Sequence, residues 1–230
     1  NNGDLLFYTD GMTVYNKQHV IMPNGTGLLG HSSSSQSSII VKKPGLNTIY
    51  YIFTVNGASG PGPGLCYSEV DMALQGGLGD ITINKNILIV SNTCEKVTTI
   101  CHNNGVDFWV VTRLENSNTY HSFVLDFTGI NMIPVVSNIG PNYFGTLGYL
   151  RSSPDGTKLA AANYLGSGAD IFDFDKTTGL LTNAILLNTN LSSPYGIEFS
   201  PDGNLLYVAD HGVQLIWQYD LNAPNINNSQ

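Results

Sequence analysis

Residues 2–10 read NGDLLFYTD and residues 202–210 read DGNLLYVAD, two stretches that agree in character at nearly every position although 200 residues separate them. A third copy, DGTKLAAAN, occupies 155–163. A weaker one, NGVDFWVVT, occupies 104–112, and Pro44-Gly45 followed by Ile49-Tyr50-Tyr51-Ile52-Phe53-Thr54 makes a fifth. The marker glycines Gly3, Gly45, Gly105, Gly156 and Gly203 lie 42, 60, 51 and 47 residues apart, a period that suits blades rather than helical repeats. Asn-Gly and Asp-Gly supply the positive φ of tight hairpin turns, and each is followed by a short run of β-branched and aromatic residues.

Working outward from each turn, another strand precedes it (Thr98–Cys101, Tyr149–Ser152, Gly196–Ser200) and a third follows (Cys66–Asp71, Tyr120–Asp126, Ala169–Asp175, Leu215–Asp220). A further turn such as Lys176–Gly179 leads to a fourth strand, 180–187. Four antiparallel strands per repeat is the pattern of a β-propeller blade. The chain therefore reads as an all-β propeller of about five blades, whole or partial. These are a partial blade over 1–30, blades over about 37–90, 95–140 and 146–190, a partial blade over 194–222, and a tail at 223–230. The first copy begins at its turn and the last ends after its third strand, so the expectation is a piece of a propeller of six to eight blades, packed against the remainder of its own polypeptide.

The 230 residues are 42% hydrophobic and only 11% charged, well below the roughly 25% charged of an ordinary globular domain. The surface is built from Asn, Ser, Thr and Gly. Nine Lys and Arg stand against seventeen Asp and Glu, for a net charge of −8. No basic face is available to displace counterions from a phosphate backbone, so nucleic acid is not an expected partner. The longest apolar run, Ile49–Val55, is strand-sized and far short of the roughly 20 residues of a membrane-spanning helix. Cys66, Cys94 and Cys101 are odd in number and lack metal-ligand spacing, so they read as unpaired thiols.

Two resemblances rest on particular segments. Ser153-Pro154-Asp155-Gly156 and Ser200-Pro201-Asp202-Gly203, each running into an aliphatic strand, resemble surface and lactonase-type propeller repeats. The chain as a whole resembles the N-terminal propeller of large proteins that gliding bacteria export by type IX secretion. The matching stretches are 3–11, Met22–Gly25, Tyr50–Thr54, Tyr67–Met72, His102–Gly105 with Trp109, and the two Ser-Pro-Asp-Gly segments. That resemblance implies secretion, a bacterial cell-surface location and a role in adhesion or gliding motility. It brings no ligand and no catalytic residue.

Candidate chemistry is sparse. Gly25–Gly30 fits G-x-G-x-x-G, but Ser32–Ser35 follows where a dinucleotide site needs a helix, so it reads as a loop. Asp173, Asp175 and Thr178 leave room for a structural calcium but also suit plain turn chemistry; no cofactor is expected otherwise. Among the five histidines no ligand spacing occurs, and His102 reads as a turn-stabilising residue. Trp109 and Trp217 read as packing between blades. The segment 194–210, PYGIEFSPDGNLLYVAD, resembles the corresponding part of gluconolactonase-type enzymes. There the resemblance implies that Asp210 is catalytic. Tyr195, however, stands where those enzymes carry a metal-binding Asn, and Asn163, Thr112 and Asp10 occupy the place of Asp210 in other copies.

Arg151 and Glu198 hold equivalent places on successive inner strands and are expected to pair beside the central channel. Arg151, Glu198, Asp210 and His211 are thus the candidate ligand-binding residues, at channel or strand-end positions. The function these features favour is non-catalytic binding or display at the cell surface, with a glycan or protein as ligand. Inserts at 32–38 and 58–64 suit such a role. A metal-dependent lactonase-like hydrolase and a structural spacer or assembly subunit are the alternatives.

Overall fold

The computed structural model describes residues 3–57, 62–166, 168–187 and 190–229. It is a β-propeller of five sheets, every paired strand antiparallel to its neighbour. The first sheet holds β1 (Phe7–Thr9), β2 (Thr13–Asn16) and β3 (Ile21–Thr26). The second runs from β4 (Ser38–Lys42) through β5 (Ile49–Thr54) to β6 (Gly64–Asp71), whose outer edge is shared by β7 (Asp80–Ile81) and β8 (Ile87–Ser91). The third repeats this with β9 (Thr93–Cys101), β10 (Phe108–Leu114) and β11 (Thr119–Asp126), edged by β12 (Gly129–Ile130) and β13 (Val135–Asn138). The fourth is a plain four-stranded blade: β14 (Leu150–Ser152), β15 (Lys158–Asn163), β16 (Gly168–Phe174) and β17 (Leu181–Leu187). The fifth holds β18 (Pro194–Phe199), β19 (Leu205–Asp210) and β20 (Leu215–Asp220). Of the insert at 58–64, residues 58–61 lie outside the described residues.

The turns form for the reasons their residues suggest. Ser153 Oγ donates to Asp155 Oδ1 at 2.6 Å and accepts the Lys158 N–H at 2.9 Å, while Thr157 N–H donates to Asp155 Oδ1 at 3.0 Å. One blade on, Ser200 Oγ donates to Asp202 Oδ1 at 2.6 Å and accepts the Leu205 N–H at 2.9 Å, and Asn204 N–H donates to Asp202 Oδ1 at 3.1 Å. Gly156 and Gly203 both take φ of 73°. Ser and Asp side chains thus replace backbone partners in the turn, and glycine supplies the left-handed residue. Those bonds hold the exposed Asp202 carboxyl down at about 2, the Ser200 hydroxyl contributing most. His102 plays its turn role by accepting the Asn104 N–H at Nδ1, 3.1 Å away, with its ring stacked on Trp109.

Four apolar seams join the five sheets. Phe7, Val14 and Met22 meet Ile52, Val70 and Ile81 between the first two. Tyr51, Phe53 and Leu65 meet Val97, Val110 and Phe123 at the next. Ile100, Trp109 and Val111 meet Leu159, Ala161 and Phe172. Ala160, Ala162 and Ile171 meet Ile197, Leu206 and Val208, with Trp217 packed at the margin. Both tryptophans therefore pack between blades. The three cysteines are free, Cys66 and Cys94 buried and Cys101 exposed.

Close approach of the chain to β15 constrains Gly148, which enters β14 at φ 111° with its Cα facing the Ala162 carbonyl oxygen. A methyl group there would run into that oxygen as well as strain the backbone. Gly148→Ala should cost about 2–3 kcal/mol in urea unfolding. Gly203→Ala, whose added methyl would meet only Pro154 Cδ at 3.8 Å, should cost about 1 kcal/mol. Equal losses would show that the contact with Ala162 is unimportant.

Candidate functional site

A polar residue stands at or near the end of the corresponding strand in the first, third, fourth and fifth sheets, and each has defined partners. Asp10, just past β1, accepts the N–H groups of Met12 and Thr13. Thr112 donates to the Lys96 carbonyl at 2.8 Å. Asn163 accepts from Arg113 Nη1 at 2.9 Å and donates to Asp170 Oδ2 at 3.0 Å. Asp210 is buried, and its carboxylate accepts four backbone N–H groups: Ser192 at 2.6 Å, Ser193 at 2.9 Å, Gly212 at 2.8 Å and Val213 at 3.4 Å. Burial pushes this carboxyl up, but the four amides outweigh it and hold it below the usual carboxylate range. At these four positions, then, the side chains organise loops and neighbouring strands, whereas the Thr54 hydroxyl at the end of β5 is buried with no hydrogen-bond partner among the described residues.

Asp210 and His211 stand at the rim of a groove of ≈ 490 Å³ lined also by Tyr149, Tyr195, Gln214 and Ile216. Tyr195 lies 5.8 Å from Tyr149 and 6.0 Å from Tyr164, centroid to centroid, and Tyr164 lies 5.7 Å from His211. His211 N–H donates to the Ser193 carbonyl, and its Nδ1 is 3.3 Å from the Tyr164 hydroxyl. Tyr195 shares a hydrogen bond with Ser35 Oγ at 3.1 Å. The groove opens along the face of the fifth sheet that carries Tyr207, Ala209 and Ile216, where Ile216 is 73% exposed. Arg151 and Glu198 meet next to it: Arg151 Nε lies 3.1 Å from Glu198 Oε2, off line for a hydrogen bond, while the guanidinium sits 5.4 Å above the Tyr149 ring. The pair is half-exposed, so it adds little stability and leaves Glu198 accessible. All four candidate residues therefore lie along one groove and its margin.

A second polar cluster, absent from the sequence reading, lies deeper between the third and fourth blades. Lys96 is fully buried and its Nζ donates to the carbonyls of Ala162 at 2.6 Å and Leu147 at 3.3 Å. Arg113 donates through Nε and Nη2 to Cys94 Sγ, both at 3.3 Å, and through Nη2 to the Gly145 carbonyl at 3.2 Å. Asp170 accepts from the Tyr143 hydroxyl at 3.0 Å as well as from Asn163. Burial pushes the Asp170 carboxyl up to about 6 against the pull of those bonds and of the nearby cations. Burial pulls the Lys96 ammonium down to about 7, and the Arg113 charge adds to it. The available signal was a Glu95-Lys96 pair set inside the strand-like run 93–101, in a chain with very few cations.

The carboxylates considered for calcium each have protein partners. Asp173 is paired with Lys158 Nζ at 2.9 Å and accepts from Asn183 at 2.7 Å, whereas Asp175 accepts the N–H groups of Thr177 and Thr178 within its own turn. Among the described residues, no group of three or more His, Cys, Asp and Glu side chains is placed to hold a metal. Gly25–Gly30 is the end of β3 and a loop, with Leu28 and Gly30 donating to the carbonyls of Met12 and Gly11. No described helix is long and apolar enough to cross a membrane.

No protein-family profile and no curated protein matches this chain. Solved structures match it in fold. A Bacteroides uniformis protein provisionally named a 6-phosphogluconolactonase is 18% identical with a TM-score of 0.57, over 98% of this chain and 66% of its own. The periplasmic gluconolactonase of Pseudomonas aeruginosa is 12% identical, TM-score 0.53, over 96% and 64%. Hydrazine synthase from Kuenenia stuttgartiensis is 12% identical, TM-score 0.52, over 91% and 64%. At these identities the likeness is one of fold alone, and the chain spans only about two thirds of the length of these structures. It is a β-propeller in architecture.

The buried cluster has a pH signature. The folded chain holds the Lys96 proton less tightly than the unfolded chain, whose lysine titrates near 10.5, so raising the pH above about 7 stabilises the fold through this group. The urea midpoint of the protein should climb between pH 7 and pH 9, and Lys96→Met should remove that climb. A wild-type midpoint flat across this range would refute the assignment.

Proposed function

We propose that this protein is a non-catalytic recognition module that holds a surface glycan in the Tyr149–Tyr195–His211 groove. The observation that carries this reading is the state of Asp210. Both of its oxygens are occupied by backbone amides, so the position that resembles a lactonase's catalytic aspartate acts here as a staple for the loop that carries His211. A carboxylate so bound is a poor general base, because taking a proton breaks the bonds that fix its loop. Next to it, tyrosine faces, an imidazole and the Gln214 amide offer stacking surface and hydrogen bonds to a neutral polyol. Tyr195 in place of a metal-binding Asn points the same way, since a phenol is a weak ligand for a hard cation.

The resemblance to type IX-exported propellers supports a secreted, cell-surface setting in which such a module serves adhesion. Propellers suit that use because loops vary on a fixed frame. The lactonase-like alternative is the one an assay separates most cleanly.

Binding to a glycan array should show a surface polysaccharide ligand. Tyr195→Ala should weaken it about tenfold, the loss of one stacking contact, while Tyr195→Phe should stay within about threefold. Asp210→Asn should lower stability by about 1–3 kcal/mol in urea unfolding, and wild type should not hydrolyse gluconolactone above background. Turnover that disappears in Asp210→Asn would reverse the assignment in favour of the hydrolase, and a protein ligand that competes at Tyr195 would replace the glycan.

A further inference from the structure

The groove at Tyr149 and Tyr195 does not end at Ala209. A pocket of ≈ 230 Å³ continues it along the same sheet face, sharing Tyr149, Gly196, Ala209 and Ile216 and adding Glu198 and Tyr207. Glu198 on β18 and Tyr207 on β19 are register partners, so their Cβ atoms stand roughly 5 Å apart. Tyr195 and Glu198 are separated along β18 by roughly 10 Å. The continuous groove therefore has two ends. One offers phenol rings, an imidazole and an amide; the other offers a carboxylate beside a phenol ring.

Charge distinguishes these ends. Both oxygens of Asp210 accept backbone amides, so its charge is already matched. Glu198 is held far more loosely. Its Oε1 accepts the Phe199 N–H at 3.3 Å, and its Oε2 lies 3.1 Å from Arg151 Nε but off line for a hydrogen bond. The side chain is 61% exposed, which leaves lone pairs open to a ligand. Arg151 is not among the residues that line the groove, and its guanidinium rests 5.4 Å above the Tyr149 ring.

A protonated amine suits this end better than a hydroxyl or a carboxylate does. An ammonium brings three N–H donors and a full positive charge to the carboxylate, and the π-face of an adjacent phenol ring attracts the same charge. A hydroxyl brings one donor and no charge. A carboxylate is repelled by Glu198, and the net charge of −8 adds to that repulsion.

We infer that Glu198 is a specificity-determining residue, and that the glycan it selects carries free amino groups. One amine sits between the Glu198 carboxylate and the Tyr207 ring while a neighbouring sugar unit stacks at Tyr195. This inference rests on the glycan reading of the groove and narrows it to a polymer of amino sugars, against acidic or fully acetylated ones.

The test is calorimetry with three oligosaccharides of equal length, built from glucosamine, N-acetylglucosamine and a uronic acid. The glucosamine oligomer should bind about tenfold more tightly than its acetylated form, and the uronic acid oligomer most weakly. Glu198→Gln should bring the glucosamine oligomer to within about twofold of the acetylated one, with the urea midpoint in place because the ion pair is half-exposed. Tyr195→Ala should weaken both of these oligomers about tenfold. The inference is overturned by a preference for the uronic acid oligomer, by an amine preference that survives Glu198→Gln, or by a lysine-rich peptide that binds more tightly than any oligomer. Equal binding of all three oligomers that is lost in Tyr195→Ala also overturns it, and leaves the glycan reading standing. Binding of none, on a broad glycan array as well, removes both.

Discussion

Blades of this propeller have no edge to share, so every inner sheet must bury both of its faces through side chains alone. The fourth blade shows how strict that is. Its second strand reads KLAAAN. Leu159 and Ala161 turn to the third blade, Ala160 and Ala162 to the fifth, and all four are wholly buried. Alanines in the middle of the sheet let the neighbouring sheets approach while larger residues on the flanking strands, Phe172 and Ile171 among them, fill the seams. Where this two-sided packing stops, as on the outer face of the fifth sheet, Ile216 and its neighbours line a groove instead of a core.

Side-chain seams do not fix how the blades are indexed along their inner strands; a few backbone bonds do. Gln36 N–H donates to the Glu95 carbonyl at 3.0 Å, Glu95 N–H to the Thr146 carbonyl at 3.2 Å, and Tyr149 N–H to the Tyr195 carbonyl at 2.9 Å. Together with Ser35 Oγ, which meets Glu95, Gly148 and Tyr195, these bonds form a belt across blades two to five. The belt explains why charge is tolerated inside. Lys96 and Arg113 lie beside it with carbonyls, a thiol, an amide and a carboxylate already arranged around them. Burying a cation is bearable only when such partners are fixed in advance.

The blade turns, the alternation of strands and the pairing of Arg151 with Glu198 were legible in the sequence because each depends on residues close together or on a repeat position. Ser-Pro-Asp-Gly carries its own hydrogen-bond plan, and a strand that begins two residues later needs nothing from afar. The belt and the Lys96–Arg113–Asp170 cluster were not legible. Ser35 sits in a serine run that reads as a plain surface loop, and only the fold brings it against residues 60 and 160 positions away. The role of Asp210 was half legible: its recurrence as Asp10 and Asn163 marked it as a repeat feature, but that both its oxygens accept backbone amides is a fact of the folded loop.

The proposed ligand groove follows from that belt. Tyr149 and Tyr195 line it, and both residues are members of the belt. Where inner strands are bonded across blades, the residues that carry the aromatic rings are held in place, so their faces stay open. Such preorganisation is unfavourable for the empty fold and favourable for a ligand, because the ordering cost is met before binding. A propeller that selects its ligand by rigid presentation would place its binding side chains on such cross-blade bonds, and keep the Ser-Pro-Asp-Gly turns, whose Ser and Asp side chains are matched within the turn, for stability.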